Sequence, residues 1–488
     1  MTDPATGRNS LSPLAVALGV TVAVTAARLV LLPLYETALG PDEAQYWFWS
    51  RSLDWGYYSK PPVIAWLIAL PTALFGDHAW SVRLFSPILI GATGLFLFGT
   101  ARRLSGPTAG YWALVLWHLM PAVMLGATII TTDIPLLACW SAALYALVRL
   151  TEVGAPRYRW GAALGAALGL GLLSKYAMIY WPLGLLLALP FTPRLRSAGV
   201  GPYALACTIA ALVFAPNVAW NLSHGMQTVG HTADNASWSG GLHWDELGDF
   251  LAGQIGVFGP LTFLALLALL VRRPRSALSN AGFLLAFIVP PLALICAQAL
   301  LSRAHANWAM TAYPAATVLL PIWLGRARWV LPSSAALHAV VGLVFTVVLL
   351  HLPLADGLGL SNVVKRLRGW DETAAQVARA AAGYDGLLLD DRELAAHLVW
   401  ELRASNTPIR VLDVGGGLDN TYEYALPYRP APGDRFLLVT QNDITAAPYQ
   451  VFGTILPVGE VFVDLNATRR GRRERTLDLW AASDPSAP

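Results

Sequence analysis

Long apolar runs constrain this chain more than any other feature. Leu14 to Leu34, Ala281 to Leu301 and Val330 to Leu350 carry at most one charge each, and Leu261 to Val271 is a shorter run of the same kind. Stretches of about 20 apolar residues match the hydrocarbon thickness of a bilayer when wound as a helix. Glycine and proline sit inside them, which membrane helices tolerate far better than soluble ones do. Only 13% of the 488 residues are charged and 56% are hydrophobic, whereas ordinary globular domains carry about 25% charged residues. A water-soluble fold of this composition could not cover its own surface. The expected fold class is therefore membrane all-α, a polytopic helical bundle.

The runs place about eleven spans, near 14–34, 79–101, 108–127, 133–150, 160–174, 176–192, 201–220, 251–271, 278–300, 309–324 and 329–352. Cations fall on alternate short loops: Arg102 and Arg103, Arg157 and Arg159, Arg194 and Arg196, Arg272, Arg273 and Arg275, then Arg326 and Arg328. Short loops rich in Arg and Lys stay in the cytoplasm, which puts the N-terminus inside and the C-terminus outside. Arg8 precedes the first run, but that run is too long for a cleaved signal, and acidic Asp42 and Glu43 follow it. The nineteen Trp suit side chains anchored at the two membrane interfaces.

Outside the spans, the segment 35–78 holds Tyr46-Trp47-Phe48-Trp49 and Tyr57-Tyr58, an aromatic pattern that suits short interfacial helices. From about Asn362 the chain becomes charged and alternates short apolar runs (Gly386 to Leu389, Ile409 to Val414, Phe436 to Val439) with helical stretches. It reads as a small α/β domain outside the membrane. The expected division is 1–352 as the membrane domain and 353–488 as the soluble one. No internal repeat supports an inverted-repeat transporter.

Ionisable residues at or in membrane helices are expensive, so they are functional candidates. Asp42 and Glu43 follow the helix-breaking Gly40-Pro41 and precede the aromatic stretch; the bland alternative is a solvated interfacial pair. Lys60, in Tyr57-Tyr58-Ser59-Lys60-Pro61-Pro62, is a snorkelling anchor or a phosphate ligand. Asp133, in Thr131-Thr132-Asp133-Ile134-Pro135, can cap a helix and still serve a site. Lys175 stands between two apolar runs, and Arg303, His305 and Asn307 cluster before Trp308. Arg28, within the first run, pairs with a carboxylate or snorkels outward. These groups lie toward the outer ends of the spans and suit chemistry on a lipid phosphate: a carboxylate activates an acceptor hydroxyl and cations take up phosphate charge.

Several features carry less. His224, His231 and His243 have no zinc spacing, and Cys139, Cys207 and Cys296 each lie inside an apolar run, as small buried hydrophobes do. Val411 to Gly417 mimics the glycine-rich turn of a nucleotide-binding domain, but too little chain follows to complete such a fold. The Asn-X-Ser/Thr matches at Asn221, Asn235 and Asn466 are of the number chance supplies.

The stretch Pro41-Asp42-Glu43-Ala44-Gln45-Tyr46-Trp47, followed by Trp55-Gly56-Tyr57-Tyr58-Ser59-Lys60-Pro61-Pro62, resembles the family 39-type glycosyltransferases of the GT-C superfamily. That group includes protein O-mannosyltransferases and the bacterial transferases that add aminoarabinose or galacturonic acid to lipid A. The similarity continues through Leu173-Ser174-Lys175-Tyr176, Ala306-Asn307-Trp308 with Tyr313-Pro314, and Leu367-Arg368-Gly369-Trp370. The resemblance implies a polyprenyl-phosphate sugar donor and, by analogy, a lipid A or lipopolysaccharide acceptor. It makes the acidic residue of the first outer loop, Asp42, the base or the acceptor-orienting carboxylate, with the choice between Asp42 and Glu43 left open by spacing; it puts Lys60 on the donor phosphate with Tyr57 and Tyr58 beside it, and makes Asp133 the second acidic residue, near the sugar or holding Lys60. Lys175, Arg303, His305 and Asn307 are weaker carry-overs for phosphate or sugar binding. No cofactor is implied, and a metal is expected to be dispensable. The expectation is a bacterial inner-membrane transferase with its site on the periplasmic face. A lipid-linked sugar flippase, a protein O-glycosyltransferase and an inactive polyprenyl-phosphate binder remain open alternatives.

Overall fold

A computed structural model describes residues 11–234, 240–272, 281–325, 329–417, 419–445, 447–466 and 473–485. Arg8, Asn235, Arg273, Arg275, Arg326 and Arg328 lie outside the described residues. The chain is a multi-pass membrane protein. Among the described residues, six helical stretches are long and apolar enough to cross a bilayer: Pro13–Leu34, Ala79–Ser105, Asp133–Leu150, Val200–Ser223, Gly282–Leu301 and Val330–Leu350. A seventh is obtained if Trp244–Phe258 and Pro260–Arg272, bent by 115° at their junction, count as one span.

The shortfall from eleven has a local cause. The expected run 108–127 is cut at Met120, because Pro121 starts a new short helix after Pro107–Leu119. The run 251–271 is cut at Gly259, whose φ of 92° no helix accommodates. The run 176–192 opens as the 3-10 turn Tyr176–Ile179, and 309–324 opens as the 3-10 turn Ala306–Ala312. Proline and glycine break hydrogen-bond ladders without breaking hydropathy, so an apolar count overstates the length of regular helix.

Contacts divide the molecule into two compact units, residues 1–32 with 83–343 and residues 33–82 with 344–488. In the first unit, helix Arg157–Ser174 packs on helix Val200–Ser223 through Gly161, Gly165 and Gly169. A Cβ at Gly161 would lie 2.5 Å from the Pro202 carbonyl oxygen, and one at Gly165 2.5 Å from that of Ala206. Helix association in lipid gains little from hydrophobic burial, so small residues that let backbones approach carry the contact. Trp117, Trp140 and Trp181 are fully buried in the core of this unit, and the Trp117 indole donates to the Ile90 carbonyl at 3.0 Å. Arg28 is half-buried, and its Nη2 donates to the His118 carbonyl at 2.7 Å.

In the second unit the segment 33–82 forms helices Pro41–Ser50 and Val63–Phe75, in keeping with the aromatic pattern there. The rest builds a five-stranded sheet in the order β2-β1-β3-β5-β4, with β1 Gly386–Leu389, β2 Ile409–Val411, β3 Arg435–Thr440, β4 Phe452–Asp464 and β5 Glu474–Pro485. β1 runs parallel to β2 and β3, and β5 antiparallel to β3 and β4. Parallel neighbours need a long crossover, and helix Arg392–Glu401 supplies it between β1 and β2. The expected α/β character of the tail is therefore present.

Candidate active site

Each unit gathers part of the candidate set. In the first, Asp133 is the opening residue of helix Asp133–Leu150. Lys175 is the point at which helix Arg157–Ser174 stops, in an extended conformation (φ −161°, ψ 136°) that turns its side chain out of the helical ladder. The Lys175 ammonium meets Asp133 Oδ1 at 2.7 Å, and the Asn307 amide donates to Asp133 Oδ2 at 2.9 Å. Both side chains of the ion pair are largely buried, 23% and 12% exposed, so the pair is poorly screened. Three residues far apart in sequence thus form one polar knot in which both oxygens of Asp133 are engaged. His305 and Arg303 are exposed near Asn307 in sequence; the His305 ring meets Trp308 edge-on at 5.3 Å, and Arg303 makes no hydrogen bond or ion pair among the described residues. Beside Lys175, the Tyr176 hydroxyl donates to Asn217 at 2.9 Å and accepts from Asn221 at 3.1 Å.

In the second unit, Pro41 occupies the first turn of helix Pro41–Ser50, where its missing N–H costs nothing. Glu43 is buried and its Oε2 accepts from the Gly40 N–H at 2.9 Å, the reciprocal half of a capping box. Asp42, its neighbour, is exposed. Its Oδ1 is paired with the Arg392 guanidinium, and Oδ2 has no partner among the described residues. Arg392 also donates from Nε to Gln45 Oε1 at 2.7 Å, so one guanidinium spans two acceptors one turn apart. Burial is the largest single influence on the Arg392 guanidinium and pulls it down, but Asp42, Tyr46 and Tyr422 together pull it up, and the net shift is upward. The same helix is held along its length: the Trp49 indole donates to Thr421 at 2.8 Å, Phe48 packs on Tyr422 at 5.2 Å, and Trp47 meets Trp400 edge-on at 4.9 Å.

Tyr57 stacks on Trp49 with centroids 5.0 Å apart, and its hydroxyl donates to the Ser52 carbonyl at 3.1 Å. Burial pushes that phenol up to about 12, so it stays a neutral donor. The Tyr57 N–H donates to the Lys60 carbonyl at 3.1 Å, closing the loop that carries Lys60; Tyr58 and Lys60 are half-buried.

Among the expected residues, Asp133, Lys175 and Asn307 are joined by hydrogen bonds in one unit, whereas in the other Tyr57 is bonded to the Lys60 backbone and Asp42 shares only the unit with them. Arg392, Gln45 and Tyr422 were not anticipated. The only sequence signal for Arg392 is its place directly after the apolar run that becomes β1. The glycine-rich turn after β2 is closed by its own chain: Asp413 Oδ1 accepts from the Gly416 and Gly417 N–H groups at 2.8 and 3.2 Å.

The family model of dolichyl-phosphate-mannose-protein mannosyltransferases matches residues 59–220. The lipid A galacturonosyltransferase RgtD of Rhizobium johnstonii is 37% identical over 476 residues, 93% of this chain and 95% of that protein. An undecaprenyl phosphate-alpha-4-amino-4-deoxy-L-arabinose arabinosyl transferase of Pseudomonas fluorescens is 26% identical over 385 residues, 70% of this chain and 64% of that protein. The crystal structure of apo ArnT from Cupriavidus metallidurans shares the fold, with a TM-score of 0.67 at 18% identity over 96% of this chain and 98% of that one. The same transferase bound to undecaprenyl phosphate gives 0.65.

Proposed function

Because the chain belongs to the GT-C glycosyltransferase family that includes the rhizobial lipid A galacturonosyltransferase, we propose that it transfers galacturonic acid from a polyprenyl-phosphate donor to lipid A. The sugar and acceptor follow the relative that aligns over nearly the full length of both chains. The observation that carries the chemistry is the contrast between two carboxylates. Asp133 has both oxygens engaged inside a largely buried ion pair, whereas Asp42 is exposed and has one oxygen without a partner among the described residues. A general base must be within reach of the acceptor proton, so we take the accessible carboxylate, Asp42, as the base. Glu43 caps its helix. Asp133 orients Lys175 and Asn307.

In the proposed step the acceptor oxygen bonds to the anomeric carbon while the bond from that carbon to the phosphate oxygen breaks. The electron pair leaves on polyprenyl phosphate, the hydroxyl proton passes to Asp42 Oδ2, and the anomeric configuration inverts. Phosphate is a good leaving group, so orientation and charge stabilisation dominate. In the second unit Lys60, with Tyr57 and Tyr58, is the candidate for the donor phosphate; in the first, Lys175, Arg303, His305 and Asn307 are candidates for binding phosphate or the sugar carboxylate. We place the enzyme in the bacterial inner membrane with its site on the periplasmic face, its N-terminus cytoplasmic and its C-terminus periplasmic. In this reading broken and short helices complete about eleven crossings, and 353–488 forms the soluble domain beyond the membrane domain of 1–352.

The test is transfer by the purified protein from polyprenyl-phosphate galacturonic acid, with the aminoarabinose donor as comparison, to lipid A. Wild type is expected to use the uronic acid donor and to keep its activity in excess chelator. Asp42→Asn is expected to fold, bind donor and transfer at least about 100-fold more slowly. Product on serine or threonine peptides alone would overturn the acceptor, and wild-type transfer by Asp42→Asn would overturn the base.

A further inference from the structure

We infer that Arg392 is a positioning residue for transfer: it holds one oxygen of Asp42 so that the other faces the acceptor hydroxyl. This rests on the reading of Asp42 as the base. Three consecutive residues at the end of β1 build the device. Asp390 is buried, with its Oδ2 accepting from the Thr440 and Tyr449 hydroxyls, the latter at 2.6 Å. That anchors the strand end to β3 and to the segment around Tyr449. Asp391 caps helix Arg392–Glu401, its Oδ1 accepting from the Leu394 N–H at 2.8 Å. Arg392 is then the first residue of that helix, with its backbone fixed on both sides.

A cation at that position is a poor choice for the helix itself, because it opposes the macrodipole by about 0.3–1 kcal/mol. The flanking Asp391 and Glu393 offset that cost, so the role of Arg392 is read from its partners. Nη2 pairs with Asp42 Oδ1 while Nε donates to Gln45 Oε1. Asp42 and Gln45 are three positions apart on helix Pro41–Ser50, on one face. A planar fork reaching two acceptors fixes a direction that a lysine ammonium cannot. The carboxylate is therefore held by a third group, as catalytic bases generally are. During transfer the hydroxyl proton passes to Oδ2 of Asp42, while Arg392 keeps its own protons and its hold on Oδ1.

The experiment measures kcat and donor KM for wild type, Arg392→Gln, Arg392→Lys, Asp42→Asn and the Asp42→Asn/Arg392→Gln double variant, each normalised to folded protein. Misaiming a reacting group by about 1 Å costs up to about 100-fold. Arg392→Gln is expected to lose between ten- and a hundredfold in kcat with donor KM unchanged. Arg392→Lys should recover part of that loss, and the double variant should be no slower than Asp42→Asn alone. Two results overturn the inference while leaving Asp42 as the base: wild-type kcat per folded Arg392→Gln molecule, or losses that multiply in the double variant. If Asp42→Asn itself transfers at the wild-type rate, the base assignment fails and this inference fails with it.

Discussion

At the scale of single residues, the candidate site was readable as a set of residue types and not as a set of partnerships. Asp133, Lys175 and Asn307 each stood out as polar groups beside apolar runs, yet their joining depends on helix packing that brings positions 42 and 174 residues apart into hydrogen-bond range. Breaking a largely buried pair strands its carboxylate, at about 3 kcal/mol. Lys175→Met should therefore lower the melting temperature more than Lys175→Met/Asp133→Asn, in which no unpaired charge is left; thermal unfolding in detergent checks the order. His397 gives a second prediction. It is buried, stacked on Trp370 at 3.7 Å, and neither ring nitrogen has a hydrogen-bond partner among the described residues. Burial first, and the nearby Arg475 second, pull it down to about 3. The unfolded chain takes up that proton near pH 6.5 and the folded one does not. Its contribution is thus complete above about pH 6.5 and is lost progressively as pH falls to about 3. Melting curves between pH 7.5 and 5 should show wild type losing stability relative to His397→Phe by about 1 kcal/mol per pH unit once below about pH 6.5. Parallel curves would show that the imidazole takes up its proton over the same pH range in the folded chain as in the unfolded one.

At the scale of elements, apolar length located the helices but misjudged their continuity. Met120-Pro121 and Gly259 interrupt runs that hydropathy treats as seamless, because breaks are set by φ and by missing N–H groups, which an apolar count does not see. The glycine stripe on helix Arg157–Ser174 is legible only once its neighbour is known. Adding a branched side chain at Gly165 would drive it into the Ala206 backbone, 2.5 Å from where the first carbon would sit. Backbone cannot yield as a side-chain tip can. Gly165→Val is expected to reduce folded yield and to lower the melting temperature by several degrees, while Gly106→Ala is a strain control, since a Cβ there meets nothing within 4 Å but its φ is 89°. Equal melting temperatures for wild type and Gly165→Val would show that the two helices separate freely at that point.

At the scale of the whole molecule, hydropathy and charge alternation were enough to identify a multi-pass membrane protein, and the tail was recognisable as α/β from its short apolar runs. The affinity of residues 33–82 for residues 344–488 was not recognisable, because no local pattern records which distant surface an aromatic helix will meet. Single cysteines at Ser361 and Asp443, in a background without Cys139, Cys207 and Cys296, are expected to react with a membrane-impermeant thiol reagent applied to whole spheroplasts. Labelling only after lysis would reverse the proposed orientation. The pairing of chain ends also imposes an order of events. Helix Pro41–Ser50 emerges from the ribosome some 350 residues before Arg392, and its Trp47, Phe48 and Trp49 wait for partners at Trp400, Tyr422 and Thr421. Non-local contacts of this separation form late and leave apolar surface open meanwhile. The carboxylate assigned to catalysis therefore acquires its setting only after Arg392 has been made. A chain that stops before Arg392 presents Asp42 without the guanidinium that pairs with it.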